Sequence, residues 1–319
     1  MKRLLIAEYG SPDVIGLVEG PQPTARGDEV VVEVHALALN PKDVLVRKGK
    51  LKWAPGVRLP LVLCHDLAGV VVQAGPMADL AVGTQVYGWF EALTGGAGAE
   101  RVALSCRHLA PMPSGLSMAE AASVPLAALT SLMALRDHLR VQPGDRVVVN
   151  GASGGVGVFA VPIAKILGAH VTAICSARNA DLVRELGADE HVDYAATDPA
   201  TLRDVDAFFD VFGSMPWRKA RPTLSRGGRY CTTIPRPDTF LRGGLARLGW
   251  HRAHLVLVRS RREDLQQLTA WLESGRLRPV IDRELPWQDC AEGHRLLETK
   301  RTRGKIVLRV QPEVDGEAP

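Results

Sequence analysis

The feature that most constrains this chain is a glycine-dense turn between a short β-branched run and an apolar helical pattern. Arg146-Val147-Val148-Val149 runs into Asn150-Gly151-Ala152-Ser153-Gly154-Gly155-Val156-Gly157, and the helix opening there extends to Leu167. β-Branched side chains favour the strand, and a turn so rich in glycine lets backbone N–H groups converge without Cβ clashes. The helix start adds partial positive charge at the same point. A second strand, His170 to Ile174, follows, so the turn has the strand-turn-helix-strand context of a dinucleotide loop. Gly151 serves the tight turn, Gly154 and Gly155 admit a pyrophosphate, and Gly157 brings the helix close to the sheet; Ser153 and Val156 complete the loop. The plainer reading is an ordinary glycine-rich strand-to-helix turn. Pro162, inside the helical pattern, lacks an N–H and predicts a bend.

The alternation continues with a helix through Leu186, a short strand at His191-Val192, a strand from Ala207 to Phe212 after another helix, and one from Gly228 to Thr233. Strands alternating with helices predict an α/β fold with a doubly wound parallel sheet. The first third differs: Glu29 to His35 and Leu67 to Val72 are β-branched runs bounded by Gly and Pro, as in a barrel or sandwich. With 319 residues, about two domains are expected. The strand His254 to Val258, the helix Glu263 to Glu273 and the strand Lys305 to Val310 could extend the parallel sheet or return to the first domain, and periodicity does not decide. Gln311 to Pro319 is a polar, acidic tail expected to fray.

The cofactor is read at the end of the second strand, where an NAD site places a carboxylate on the ribose hydroxyls. Here stand Cys175-Ser176-Ala177-Arg178-Asn179, with no acid before Asp181. Ser176 and Asn179 can donate hydrogen bonds, and Arg178 suits a dianionic 2′-phosphate better than a neutral hydroxyl, which favours NADPH. The alternative is that Ser176 and Asn179 merely cap the next helix.

Composition narrows the remaining classes. Lys and Arg total 39 against 35 Asp and Glu, a formal charge of +4 that does not by itself imply nucleic acid. Residues 235–262 nonetheless carry Arg236, Arg242, Arg247, Arg252, Arg259, Arg261 and Arg262 against only Asp238, with Phe240 and Trp250 interleaved, a pattern also found on RNA-binding surfaces. The longest uncharged stretch, Ala121 to Leu135, is shorter than a membrane span, and the Leu4-Leu5-Ile6-Ala7 run is too short for a secretory signal, so a cytoplasmic protein is expected. Cys64, Cys106, Cys175, Cys231 and Cys290 form no C-x-x-C pair and read as buried small hydrophobes.

In order along the chain, Asn40-Pro41-Lys42-Asp43 with Arg47-Lys48-Gly49, His65-Asp66-Leu67-Ala68-Gly69-Val70-Val71, Val86-Tyr87-Gly88, Ala121-Ala122 with Pro125 and Leu129-Thr130, the glycine loop, Leu186-Gly187-Ala188-Asp189 with Asp193-Tyr194, and Gly304-Lys305-Ile306-Val307 resemble the zinc-independent medium-chain dehydrogenase/reductases, in their quinone oxidoreductase and enone reductase branch. The resemblance implies a GroES-like β-rich catalytic domain over residues 1–122, a Rossmann NADP-binding domain over 123–262, and a return to the catalytic domain over 263–319. It implies Gly154 to Gly157 at the pyrophosphate, Ser176 to Asn179 at the 2′-phosphate, Tyr194 near the adenosine, and Thr130 and Asn40 beside the nicotinamide. Phe212 and Gly213 would end a strand bordering the cofactor, and Lys305 is a further cofactor contact. Dimers are common in the family, and the His254 to Val258 strand could pair with its copy.

The departures from zinc-dependent relatives point to the chemistry. Asn40 stands where a cysteine ligand would be, Ala127 and its neighbours offer no third ligand, and His65 is expected to be a hydrogen-bonded structural histidine. No metal is expected. Some relatives carry Tyr or Lys where this chain has Leu45, and Gly98 replaces a bulky residue, which suggests a wider cleft. Without a Lewis acid to hold an alkoxide, the suited acceptors are electrophilic small molecules already activated by conjugation. The expected function is NADPH-dependent hydride transfer to quinones or α,β-unsaturated carbonyl compounds, with Asn40 as a polar positioning group and no assigned proton donor. The alternative from another class is a non-catalytic NADPH-binding protein that binds RNA through segment 235–262.

Overall fold

The computed structural model describes residues 1–236 and 253–310. The described residues divide into two compact units. One comprises Met1–Leu126, Arg259–Gly275 and the chain from Pro279; the other comprises Ala127–Val258 and Arg276–Arg278.

The first unit begins with β1 (Lys2–Ile6), β2 (Ile15–Glu19), the long β3 (Glu29–Leu39), helix α1 (Pro41–Arg47) and β4 (Leu61–Val62). It continues through β5 (Asp66–Ala74), β6 (Gln85–Trp89), β7 (Arg101–Ser105), β8 (Leu109–Pro111) and α2 (Met118–Ser123). Helix α3 (Pro125–Leu132) then leads into the second unit, which carries β9 (Arg146–Asn150), α4 (Gly157–Ile166), β10 (His170–Cys175), α5 (Ala180–Glu185), β11 (Glu190–Asp193), β12 (Val205–Asp210), α6 (Trp217–Ala220), β13 (Leu224–Thr232) and β14 (Ala253–Leu255). The chain closes with α7 (Arg262–Glu273), β15 (Ile281–Pro286), α8 (Cys290–Glu298) and β16 (Lys305–Arg309).

The main sheet of the first unit runs β15-β16-β3-β5-β6-β8, with β7 also paired to β3, and β1 joins β2 and β4 in a smaller sheet. Val30, Val32, Val34, Leu37, Leu67 and Ile306 supply its core, with exposures near zero. The question left open by periodicity is answered by β16, which pairs antiparallel with β3, Ile306 opposite Leu39 and Arg309 opposite Ala36. Ile306, Val307 and Leu308 are all buried, so this run suits an inner strand covered on both faces. Helix α7 is tied to the same unit by Tyr87, whose hydroxyl donates to the Leu265 carbonyl at 2.9 Å, and by the Arg262–Asp79 ion pair. The expectation that Gly98 widens a cleft is corrected: it is buried, and a Cβ there would lie 2.8 Å from the Leu63 carbonyl. Glycine is needed there because two backbones meet.

The second unit is the parallel sheet expected of a doubly wound domain, in the order β11-β10-β9-β12-β13-β14. Two expected strands are shorter than the sequence pattern suggests. β12 stops at Asp210, before Phe212 and Gly213, because Gly213 turns the chain at φ +85°. β14 ends at Leu255, which faces Thr232, the last residue of its partner β13. Pro162 lies buried inside α4 and leaves the Val158 carbonyl without its usual helical donor. All five cysteines are free and buried. No helix among the described residues is long and apolar enough to cross a membrane. Most of the basic segment, including Asp238, Phe240, Arg242, Arg247, Trp250 and Arg252, and the Gln311 to Pro319 tail lie outside the described residues.

Gly157 shows how tightly the glycine turn is packed: a Cβ there would stand 2.2 Å from the Gly151 carbonyl oxygen and 2.6 Å from the Ala152 backbone. Backbone cannot rotate away as a side chain can, so Gly157→Ala is expected to cost about 1–3 kcal/mol by overpacking. Denaturant unfolding of the two proteins checks this; an unchanged midpoint would show that the turn yields freely.

Candidate active site

Three strand ends place the polar cluster of the first unit. Asn40 follows β3, Asp66 opens β5 and Lys305 opens β16, and the registers Ala38 opposite Asp66 and Leu39 opposite Ile306 put them side by side. The Lys305 ammonium donates to Asn40 Oδ1 at 2.7 Å and to Asp66 Oδ2 at 3.2 Å, and Asn40 Nδ2 donates to Asp66 Oδ2 at 2.9 Å. Asp66 Oδ1 accepts from the Leu126 backbone N–H at 2.9 Å. Asn40 is 5% exposed and Lys305 3%, so the group is nearly dry. Burial pushes the Asp66 carboxyl above its ordinary range, and Lys305, Asn40 and the Leu126 N–H only partly offset this.

A second pair braces the first. Asp43, in the first turn of α1, accepts from the Asn40 backbone N–H at 2.7 Å and meets His65 Nδ1 at 2.6 Å. Burial alone would raise the Asp43 carboxyl, but His65, His294 and the Asn40 N–H together hold it below its ordinary value. His65 Nε2 lies 3.2 Å from the Ala92 carbonyl, so both ring nitrogens have protein partners. Asn40 therefore has its amide engaged with Lys305 and Asp66, and with the Ala38 carbonyl at 3.3 Å. Sequence reasoning named Asp43 and Asp66 only as motif neighbours; the signal available was, for Asp66, an acid at the head of the apolar run Leu67 to Val72, while nothing local marked Asp43.

In the second unit the sheet order reverses at β9, with β10 on one side and β12 on the other, a topological switch point of the kind where such sheets bind ligands. The glycine turn leaves the end of β9, and Gly151 takes φ +89° against Phe212, which a Cβ at Gly151 would approach to 3.0 Å. Asn150 Nδ2 crosses to Asp210 Oδ1 at 2.7 Å, and the same oxygen accepts the Gly213 N–H at 2.8 Å. Tyr230 adds its hydroxyl to Asp210 Oδ2 at 3.2 Å. Asp210 thus holds the Phe212–Gly213 turn against the glycine loop, and burial raises its own carboxyl despite these donors. Arg236 donates to the Gly213 carbonyl at 2.7 Å, which gives one arginine of the basic segment an internal use.

The adjoining strand end is joined to the same loop by Asn179, buried, which donates to Ser153 Oγ at 2.8 Å. Neither Ser176 nor Asn179 makes a side-chain cap to the following turn or helix, so geometry does not support the capping alternative. Arg178 is exposed on the short turn between them. Gly154, Gly155 and Val156 are half-buried. Thr130 is buried on α3, beside Ser131, whose hydroxyl donates to the Val156 carbonyl at 2.9 Å. Tyr194 and Phe212 are 58% and 51% exposed. The structure thus gathers Gly151, Ser153, Val156, Gly157, Asn179, Phe212 and Gly213 around one strand-end crevice of the second unit, and Asn40 with Lys305 in the first.

Comparison with known proteins gives a consistent picture. The alcohol dehydrogenase GroES-like domain profile matches residues 26–134, and the zinc-binding dehydrogenase profile matches residues 186–308. The chain is 32% identical over 311 residues to the chloroplastic quinone-oxidoreductase QR1 of Triphysaria versicolor, covering 91% of this chain and 92% of that one. It is 34% identical to the chloroplastic NADPH-dependent alkenal/one oxidoreductase of Arabidopsis thaliana, covering 97% and 79%. The structure of the quinone oxidoreductase from Coxiella burnetii superposes with a TM-score of 0.88 at 31% identity, covering 98% of this chain and 99% of that one.

The buried Lys305–Asp66 pair makes a pH-dependent prediction. Lys305→Met strands a buried carboxylate, at a cost of about 3–5 kcal/mol near neutral pH. Without the ammonium the folded-state pKa of Asp66 rises further above its unfolded value, so the folded protein takes up the proton first and the penalty shrinks as pH falls. Denaturation at pH 8 and pH 5 is expected to show a smaller gap between variant and parent at pH 5. A gap that does not change with pH would mean that Asp66 is not the stranded charge.

Proposed function

Because this chain belongs to the quinone oxidoreductase branch of the medium-chain dehydrogenase/reductase family, we propose that it is an NADPH-dependent reductase of quinones or α,β-unsaturated carbonyl compounds. The observation that carries the reading is the strand-end crevice of the second unit, where the glycine loop and the Ser153–Asn179 pair adjoin a β10 terminus with no carboxylate. The crowded glycines fit a pyrophosphate, and the exposed Arg178 with Ser176 fits a 2′-phosphate. NADPH, when bound, supplies the hydride.

The residues of this chain bind and orient. Gly151, Ser153, Gly154, Gly155, Val156 and Gly157 hold the diphosphate, Ser176, Arg178 and Asn179 the 2′-phosphate, and Tyr194 the adenosine. Phe212 and Gly213 border the cofactor, and Thr130 and Asn40 stand at the nicotinamide. Lys305, expected as a cofactor contact, is read instead as fixing the Asn40 amide and keeping positive charge at that point, because its buried ammonium is already bonded to Asn40 and Asp66.

We further read the enzyme as zinc-independent, because the candidate donors are already committed: both His65 nitrogens to Asp43 and Ala92, and Asp66 to Lys305. Among the described residues no three His, Cys, Asp or Glu side chains are grouped to hold a metal. The RNA-binding alternative is not favoured, since Arg236 and Arg262 are spent on internal partners. β14 ends its sheet among the described residues and offers its free edge to a second copy.

Two experiments test this reading. Arg178→Ala should weaken NADPH by about 10- to 150-fold, from loss of one charge-assisted bond, and leave NADH nearly unchanged; equal losses for both would remove the 2′-phosphate assignment. A panel of quinones, enones and alcohols should show NADPH oxidised with the conjugated acceptors, little alcohol oxidation, and no loss of turnover after chelator treatment. Alcohol oxidation as fast as enone reduction, or activity restored only by zinc, would refute it.

A further inference from the structure

The reductase reading leaves the acceptor oxygen without a proton donor, and Leu45, an exposed apolar residue at 38%, offers none. One turn earlier on the same helix, Lys42 lies three positions away, a spacing that puts two side chains on neighbouring parts of a helix surface. Its half-buried stem carries the ammonium to the Ala92 carbonyl at 3.0 Å and to 5.4 Å from the centre of the Trp89 ring. The same carbonyl meets His65 Nε2, so Lys42 is anchored to the wall that also holds the Asp43–His65 pair. The bond to Ala92 uses one of the roughly three N–H donors of an ammonium and leaves the others for a ligand.

We propose that Lys42 is the proton donor to the oxygen of the conjugated acceptor, a role that rests on the reductase reading above. As the β-carbon gains the hydride, the alkene electron pair shifts to form the enol double bond and the carbonyl oxygen takes a proton from Lys42 Nζ. One O–H bond forms and one N–H bond breaks; solvent reprotonates the amine, and the enol tautomerises to the saturated ketone. With a quinone the same transfer gives one hydroxyl of the hydroquinone; the ring carbon that took the hydride then gives up a proton as the second carbonyl oxygen gains one, so the hydride and the Lys42 proton together supply both hydrogens.

The surroundings suit this task. Burial lowers the Lys42 pKa from the ordinary lysine value, which makes the proton easier to give up, while Asp43, Asp66 and Glu91 act against the shift and keep the ammonium form. The Trp89 face and Ala92 carbonyl fix the head without neutralising it. Asp43, Asp66 and Glu91 are the charges that act on it, and His65 shares its Ala92 carbonyl.

The test uses the parent, Lys42→Met and Lys42→Arg in the full-length protein. With NADPH and an enone, Lys42→Met should lower kcat by about 100-fold or more, the usual worth of a general acid, while NADPH binding by fluorescence stays within about twofold. The parent should lose rate on the alkaline side as the ammonium deprotonates, and Lys42→Met should lack that limb. Lys42→Arg, which keeps the charge but does not titrate, should recover part of the rate. Independently of turnover, 4-nitrophenol added without NADPH should bind the parent as the yellow phenolate at a pH where free phenol is protonated, and should not do so in Lys42→Met. An active parent with Lys42→Met unchanged in rate and pH profile overturns the proposal alone. A parent that oxidises NADPH with none of the acceptors overturns the reductase reading and the role of Lys42 with it.

Discussion

The first unit depends on a buried ammonium held between an amide and a carboxylate. Lys305, Asn40 and Asp66 stand at the ends of three strands that are neighbours in the sheet, and each is charged or polar in surroundings that exclude water. A carboxylate in such a place is tolerable only with its partners fixed, because the interior does not replace lost hydration. The cluster therefore demands that β16, β3 and β5 meet in one register. A slip of one residue would turn every side chain to the opposite face and separate the charges.

The second unit solves a related problem with neutral donors. Where β9 and β12 end side by side, Asn150 lies opposite Asp210 and donates to its carboxylate, which also receives the Gly213 N–H and the Tyr230 hydroxyl. The two turns that border the crevice are thus fixed by one side chain. Preorganised loops of this kind bind a ligand without first having to be ordered.

The sequence made the second unit legible because its signals are local. A β-branched strand, a glycine turn and an apolar helix follow one another within residues 146–167, and the physical reason for each is contained in that stretch. The same holds for the missing carboxylate after β10. The Lys305–Asn40 contact spans 265 positions, and nothing near either residue announces the other; only strand pairing brings them together. The end of β12 was misplaced for a different reason. Val211 and Phe212 extend the apolar strand pattern, but Asp210 and Gly213 form the turn that stops it. Gly98 was misread because an absent side chain looks like open space in a sequence, whereas here the Leu63 backbone fills it.

The return of the chain to its first sheet sets an order of events during synthesis. The strand that carries Lys305 is the last of the described elements to leave the ribosome, so for most of translation Asp66 and Asn40 exist without their cation and β3 presents an open edge. The parallel sheet between them has all its described strands by Leu255 and is free to assemble first. The first unit is begun before the second and closed after it.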